Sequence, residues 1–342
     1  MYIGIVANPV SARDIRRVIA NATSLQVADR ANIVLRVLAA LNACGVERTL
    51  MMPEKGGIRS LLLRGLERER NLGGNRFPEL ELTKTRITGT VDDTFEAAKA
   101  MKDAGVKAMV VLGGDGTHRA VVKVCGAVPI AGISTGTNNA FPEHREPTIT
   151  GLAVGLAATG RIPEDVAFVQ NKLLRVDIND GERSDVALVD IAICSERYVG
   201  ARALWHTENF RELFVTFSDP EVIGLSAIAG LLHPVSRLDQ VGVRVLLGNP
   251  DQALHPLQVP ISPGLIRKVG VESWSTLEPG VPVRVLQSAG TIALDGEREM
   301  EFGSGDSVQV TLLEKVFRTV DVSACMRYTG KHRLLADDTI TT

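Results

Sequence analysis

Apolar and polar positions in the first 135 residues follow two periods in turn. Tyr2–Ala7 is an apolar run that stops at Asn8-Pro9, which predicts a strand and a turn. From Ala28 to Cys44 the residues Ile33, Val34, Val37, Leu38 and Leu41 recur at helical spacing, and Gly45 stands where such a helix ends. Thr49–Met52 predicts a second strand before Pro53, Ile58–Glu69 a helix with an Arg/Glu-rich outer face, and Leu80–Ile87 a third strand. Thr90-Val-Asp-Asp93 resembles a capping box and opens a helix through Phe95, Ala98 and Met101 to Gly105. Ala108–Leu112 is wholly apolar, as a central parallel strand is. Gly113–Thr117 forms the turn behind it, Arg119–Cys125 begins a helix, and Val128–Ile133 is one more strand. Strands separated by helices predict a parallel, doubly wound sheet.

The pattern changes near Pro147. One helical stretch, Thr150–Ala158, closes at Gly160, and short strands then dominate. Leu173–Ile178, the turn Asn179-Asp180-Gly181 and Asp185–Cys194 predict a hairpin. Val241–Leu247, Leu265–Val271, Val281–Leu286, Thr291–Leu294, Ser307–Leu312 and Phe317–Val322 continue in that style, with Ala203–Leu213 and Val222–Leu232 as helical candidates between them. The expected fold class is α/β. An N-terminal doubly wound parallel-sheet domain over residues 1–146 is followed by an antiparallel β-rich domain over 147–325 and a polar tail over 326–342.

Length adds that two domains fit 342 residues at about 150 per domain. Charge is balanced, with 38 Lys+Arg against 40 Asp+Glu, which argues against a nucleic-acid partner. Aromatic residues are 4% of the chain and offer little for stacking bases. No apolar run approaches the roughly 20 residues needed to span a bilayer; Val222–Leu232 is too short. Met1–Pro9 lacks a basic leader region, so no membrane association and a cytoplasmic location are expected. Cys44, Cys125, Cys194 and Cys325 form no CxxC pair, and the six histidines show no zinc spacing, so no transition-metal site is expected.

The sharpest chemistry is Gly113-Gly114-Asp115-Gly116-Thr117. It follows a buried strand and precedes a helix, at the sheet edge where open α/β folds bind ligands. Glycines admit close backbone approach, and a helix N-terminus favours phosphate. Asp115 suits Mg²⁺ coordination or proton acceptance, and as a loop residue it is expected to contribute little to the core. The next strand ends in Ser134-Thr135-Gly136-Thr137-Asn138-Asn139-Ala140-Phe141, whose hydroxyls and amides suit ribose or phosphate oxygens; by itself it is equally a loop with Asx turns. Asp295-Gly296-Glu297 reads locally as a hairpin turn. His118 either donates to an anion or is a solvated first-turn residue. Arg13, Arg16 and Arg17 either face the cleft or line a charged helix face.

Taken together these segments resemble the ATP-NAD kinase-like superfamily of NAD kinases and diacylglycerol and sphingosine kinases. GGDGT at 113–117, Asn8-Pro9, the stretch Gly132–Phe141, and Asp295-Gly296-Glu297 followed by Gly305-Asp306 carry the resemblance. Within it, the opening Gly4–Arg17, GGDGTH at 113–118 and Gly224–Gly230 resemble the acetoin-catabolism protein X group. The resemblance implies an ATP- and Mg²⁺-dependent kinase. Gly113, Gly114, Gly116, Thr117, Thr135, Gly136, Thr137, Asn138 and Asn139 would hold the nucleotide, Asp115 would be catalytic, and Asp190, Asp295 and Glu297 would stand on the acceptor side of the cleft. NAD(H) is the implied acceptor. The NAD kinases' Asn-Glu pair is represented here by Asp190 alone, and their lipid-kinase relatives' Asn-Asp-Phe-Ala by Asn138-Asn139-Ala140-Phe141. A nucleotide-binding accessory protein without phosphotransfer and a lipid kinase are the alternatives. The oligomeric state, including a homo-oligomer, stays open.

Overall fold

A computed structural model describes residues 1–9, 25–136, 139–196 and 207–336, with every side chain among them except that of Arg298. Sheet one is built from β1 (Tyr2–Ala7), β2 (Arg48–Met51), β3 (Glu79–Leu82), β4 (Met109–Gly113) and β5 (Ile130–Ser134), joined by β6 (Phe168–Ile178), β7 (Arg183–Ala187), β13 (Val283–Arg284) and β16 (Val308–Val320). Its order is β3-β2-β1-β4-β5-β16-β6-β7, with β13 also on β16. The first five strands are parallel. β16 continues the sheet beside β5, and β6 and β7 follow antiparallel. The fold class is thus α/β with an antiparallel β-rich C-terminal part, as the hydrophobic pattern predicts.

Five longer helices serve the first sheet. They are α1 (Val27–Ala43), α2 (Ile58–Asn71), α3 (Asp92–Asp103), α4 (Asp115–Cys125) and α5 (Pro147–Ala158), with a short α6 (Glu164–Ala167) after them. α1, α2 and α5 bury Val34, Leu38, Leu62 and Val154 against one face. α3 and α4 bury Ala97, Met101, Val121 and Cys125 against the other. Helix α1 stops at Gly45, which takes φ 85° where other residues are strained.

Sheet two comprises β8 (Asp190–Cys194), β9 (Phe210–Val215), β10 (Gly242–Gly248), β11 (His255–Ser262), β12 (Leu265–Leu277), β14 (Gly290–Leu294) and β15 (Glu297–Phe302), ordered β11-β12-β10-β9-β8-β14-β15. α7 (Ser226–Gly230) covers one face, and α8 (Val322–Lys331) returns to sheet one. The sheets meet through Leu174, Val176, Ile191, Phe214, Ile292 and Val310, a dry interface that joins both halves of the chain.

Several expectations are corrected. Asp185–Cys194 is not one strand: it divides into β7 and β8, which lie in different sheets, and Leu188-Val189 is the crossing. Ser307–Leu312 and Phe317–Val322 are largely one strand, β16, whose register shifts between Leu313 and Phe317; Val322 already belongs to α8. Phe210–Leu213, expected as helix, is strand, because its charged Glu212 is buried against Arg244 rather than exposed. Of Val222–Leu232 only α7 is helical. Asp93 does not close a capping box with Thr90; its carboxylate accepts from the backbone N–H groups of Thr88 and Gly89 at 2.6 and 2.8 Å. β11 lacks a clear pattern because Pro256 and Pro260 interrupt it, as an edge strand allows.

Candidate functional site

From β1 the parallel strands extend one way to β2 and β3 and the other way to β4 and β5. The order therefore reverses between β1 and β4, and the crevice above their carboxyl ends is the ligand position of such sheets. Asn8 lies at the end of β1. Its side chain donates to Thr94 Oγ1 at 3.4 Å, and its carbonyl accepts from Arg30 Nη1 at 2.6 Å. Arg30 is buried on α1. Sequence reasoning missed it; the available signal is a cation on the same helical stripe as Ile33, Val34 and Val37.

The two glycine loops meet at this edge. A side chain at Gly113 would strike Thr117 at 2.4 Å, and one at Gly114 would meet Asn139 Oδ1 at 2.9 Å. Thr135 donates its backbone N–H to the Gly113 carbonyl at 3.2 Å. Asn139 Nδ2 donates to Ser134 Oγ at 2.7 Å, and its carboxamide fills the space above Gly136. Gly116 differs: nothing stands within 4 Å of an added Cβ, so the first turn of α4 is open on that side. The Thr135 hydroxyl is buried with no hydrogen-bond partner among the described residues. Thr137 and Asn138 lie outside the described residues, as do Arg13, Arg16 and Arg17.

Asp115 is buried at the start of α4. Its two carboxylate oxygens accept from the backbone N–H groups of Ala140 at 3.0 Å and Phe141 at 2.9 Å. The carbonyls of the same two residues accept from Arg237, whose guanidinium lies 4.1 Å from the Phe217 ring centre. Burial lowers the Arg237 pKa, while the nearby Glu143 and Asp115 carboxylates act the other way. Asp115 and Arg237 thus hold the same two residues, one by their N–H groups and the other by their carbonyls, and nothing in the local sequence marks Arg237 for this place.

His118 corrects both readings of it. It is neither solvated nor at an anion but fully buried, with Nδ1 2.9 Å from the Gly114 carbonyl and its ring packed 5.7 Å from that of Phe141. A side chain at Gly132 would come within 2.7 Å of its Nε2, and the backbone of Val111 lies close enough to act on the ring along with Gly114. Burial drives its pKa down to about 4, so the ring is neutral.

On the other side, Asp295 and Gly296 form the β14–β15 turn with φ 51° and 78°, the left-handed pair of a two-residue hairpin. The Asp295 side chain points inward. Its carboxylate accepts from the N–H groups of Leu188 at 3.0 Å and Val189 at 2.8 Å, and Arg119 Nη1 stands 3.9 Å away. Burial raises its pKa against the opposing pull of Arg119 and these amides. Asp295 therefore secures the point where the chain leaves sheet one for sheet two. Arg119, one turn beyond Asp115 on α4, also donates to the Leu294 carbonyl at 2.8 Å and to Glu299 at 2.9 Å. It ties the glycine-loop helix to the hairpin. Asp190 is buried beside this anchor, and Glu297 is half-buried as the first residue of β15. Among the described residues no group of three or more His, Cys, Asp or Glu side chains could hold a metal ion, and no helix is long and apolar enough to cross a membrane.

A switch-point crevice walled by two touching glycine loops, on an α/β sheet that passes into antiparallel strands, defines the class of NAD kinase-like proteins. Residues 3–162 match the ATP-NAD kinase N-terminal domain family, and residues 172–315 match the acetoin catabolism protein X C-terminal domain family. The chain is 56% identical over 336 residues to the acetoin catabolism protein X of Cupriavidus necator strain H16, a match covering 97% of this chain and 93% of that protein. The chain belongs to the acetoin catabolism protein X family. It is also similar to the crystal structure of a candidate diacylglycerol kinase from Bacillus anthracis str. Sterne, at 14% identity and a TM-score of 0.45, with 93% of this chain and 96% of that one covered.

Proposed function

We propose that this chain is a small-molecule kinase that binds ATP at the crevice between β1 and β4 and serves acetoin catabolism, with NAD(H) as the acceptor that the resemblance to NAD kinases implies. The observation that carries the reading is the open first turn of α4 at Gly116, directly after Gly113 and Gly114, on which the second glycine loop with its unpartnered Thr135 hydroxyl is packed. Backbone N–H groups at a helix start favour phosphate oxygens, and a buried hydroxyl without a partner costs free energy until a ligand supplies one. Gly113, Gly114, Gly116 and Thr117 would cradle the phosphates, while Thr135, Gly136, Thr137, Asn138 and Asn139 would hold ribose or phosphate from the other wall. The acceptor hydroxyl would form its bond to the γ-phosphorus as the bond to ADP breaks, its proton passing to Asp115. Phosphoryl transfer rests mostly on such positioning. Among the described residues no group of three or more His, Cys, Asp or Glu side chains offers a cage for a resident Mg²⁺, so an ion would be carried in by the nucleotide on its phosphates, with Asp115 the carboxylate of the first glycine loop that would meet it. When bound it supplies charge neutralisation.

One observation favours a second reading. Asp115 and Asp295 both have their carboxylates hydrogen-bonded to buried backbone amides, and Asp190 lacks the preceding Asn of NAD kinases, so the glycine loops keep that pattern while the acids around them serve the fold. A nucleotide-binding accessory protein without phosphotransfer has this profile. Labelled ATP and Mg²⁺ offered with NAD, NADH, nucleosides, diols and diacylglycerol test the two. Label transfer to any acceptor supports the kinase; nucleotide binding with no transfer supports the accessory protein.

A further inference from the structure

Arg237 stands on the second half of the chain, at the tip of a turn between α7 and β10. The turn is a braced arm. Asp239 N donates to the Ser236 carbonyl at 3.2 Å, and the Asp239 carboxylate accepts from Ser236 N at 2.8 Å. Lys172 on β6 donates to the carbonyls of Ser236, Asp239 and Val241, which ties the arm to sheet one. Val235 and Ser218 exchange two backbone hydrogen bonds at 2.9 Å, which ties its base to the segment after β9. The side chain is fixed as well: its guanidinium lies 4.1 Å from the centre of the Phe217 ring and 5.6 Å from that of Phe141.

The arm ends on the second glycine loop. Arg237 donates to the Phe141 carbonyl at 3.0 Å and to the Ala140 carbonyl, on residues 96 and 97 positions earlier in the chain. A planar guanidinium reaches two neighbouring carbonyls at once, which an ammonium on a flexible stem does not. The peptide unit that joins Ala140 to Phe141 thus has its carbonyl on Arg237 and its N–H on Asp115 Oδ1, at 2.9 Å. That unit is planar and trans, so its carbonyl and N–H point in opposite directions and a rotation that loses one bond loses the other. The direction of the amide that fixes Asp115 is therefore set from the second half of the chain.

We propose that Arg237 is a positioning residue of the nucleotide site, a role that rests on the nucleotide reading of the glycine loops: it fixes Ala140 and Phe141 and, through their amides, the orientation of Asp115 at the start of α4. The second half of the chain then completes the nucleotide site as well as the acceptor side, without a side chain of its own on the nucleotide.

Two measurements on the full chain test it: amide hydrogen exchange at Ala140 and Phe141 without nucleotide, and MgATP affinity by calorimetric titration. They are made on the parent, Arg237→Gln, Arg237→Lys and Arg244→Gln. Arg244 pairs with Glu212 on sheet two, so Arg244→Gln supplies a loss of stability away from the glycine loops. Arg237→Gln should speed exchange at both amides and weaken MgATP, each at least about tenfold. Arg237→Lys, which reaches one carbonyl of the two, should fall between it and the parent, and Arg244→Gln should stay within about twofold of the parent in both. Exchange and MgATP affinity unchanged in a folded Arg237→Gln chain, or changed as much in Arg244→Gln, would overturn the proposal. If Arg237→Gln does not fold, parent values in Arg237→Lys overturn it. A parent that binds no MgATP overturns the nucleotide reading and the proposal with it, whereas a parent that binds MgATP no more tightly than folded Arg237→Gln overturns the proposal alone.

Discussion

Replacing Asp115 by Asn should cost both turnover and stability, and the second effect follows from geometry. Two backbone amides at 2.9 and 3.0 Å each own one carboxylate oxygen in a buried setting. Asn keeps a single acceptor oxygen and presents an NH₂ group to the other amide. Hydrogen bonds to a charged group contribute about 1.5–3 kcal/mol each, and a buried donor left without a partner costs about 1–3 kcal/mol. One bond is weakened and one is replaced by a donor–donor contact, so the loss should be about 3 kcal/mol. In a chain of 342 residues, at about 2.1 cal/mol/K of unfolding entropy per residue, a loss of this size lowers the melting temperature by about 4 °C. Urea unfolding followed by circular dichroism measures it, with the parent chain as reference. A change below about 0.5 kcal/mol, the usual size for a surface substitution, would refute the anchoring role. From sequence alone this loop carboxylate reads as nearly irrelevant to the core; its two amide partners lie 25 and 26 residues away and reverse that expectation.

Three further outcomes follow from the same contacts. His118 stays neutral down to about 4 in the fold but takes a proton near 6.5 when unfolded, so its contribution is complete above pH 6.5 and is lost as pH falls from 6.5 towards 4. The slope amounts to about 3 kcal/mol over that window and should vanish in His118→Gln, as urea midpoints across the range will show. Asp295→Ala should destabilise the chain by about 3–5 kcal/mol, because it leaves buried amides and the Arg119 guanidinium without their carboxylate; a calorimetric melt within a degree or two of the parent's contradicts this. With saturating ATP and Mg²⁺, kcat/KM for NAD should fall below about 10⁴ M⁻¹s⁻¹, the low end of ordinary enzymes, since Asp190 stands without the amide that precedes it in NAD kinases.

Much of the first sheet was legible in the sequence because its signals are local. Apolar runs such as Ala108–Leu112 and the stripe on α1 report burial directly, and GGDGT stands out between strand and helix. The second half was harder to read, since strand pairing there depends on distant residues. Asp185–Cys194 looks continuous, yet the chain changes sheets at Leu188-Val189, and what holds that crossing is a carboxylate more than a hundred residues later. Local sequence likewise identifies Asp295-Gly296 as a hairpin turn, which it is, but not the direction of the Asp295 side chain. Arg237 and Arg119 carry no local mark at all, because their roles consist of long-range bonds to backbone carbonyls. His118 beside a glycine loop suggests solvent or anion; only the missing side chain of Gly132 shows that the ring is received into the core.

The central claim, that the two glycine loops form a nucleotide site, is tested most directly by MgATP binding to the parent chain and to Gly116→Leu. An added Cβ at Gly116 meets nothing within 4 Å, so the backbone has room for a side chain there and the variant should fold, with the rest of the leucine extending into the space assigned to phosphate. Calorimetric titration should show one MgATP site in the parent and affinity reduced at least about tenfold in the variant, a difference of about 1.4 kcal/mol or more. Equal MgATP affinity in a folded Gly116→Leu chain, or no MgATP binding by the parent, would contradict the account.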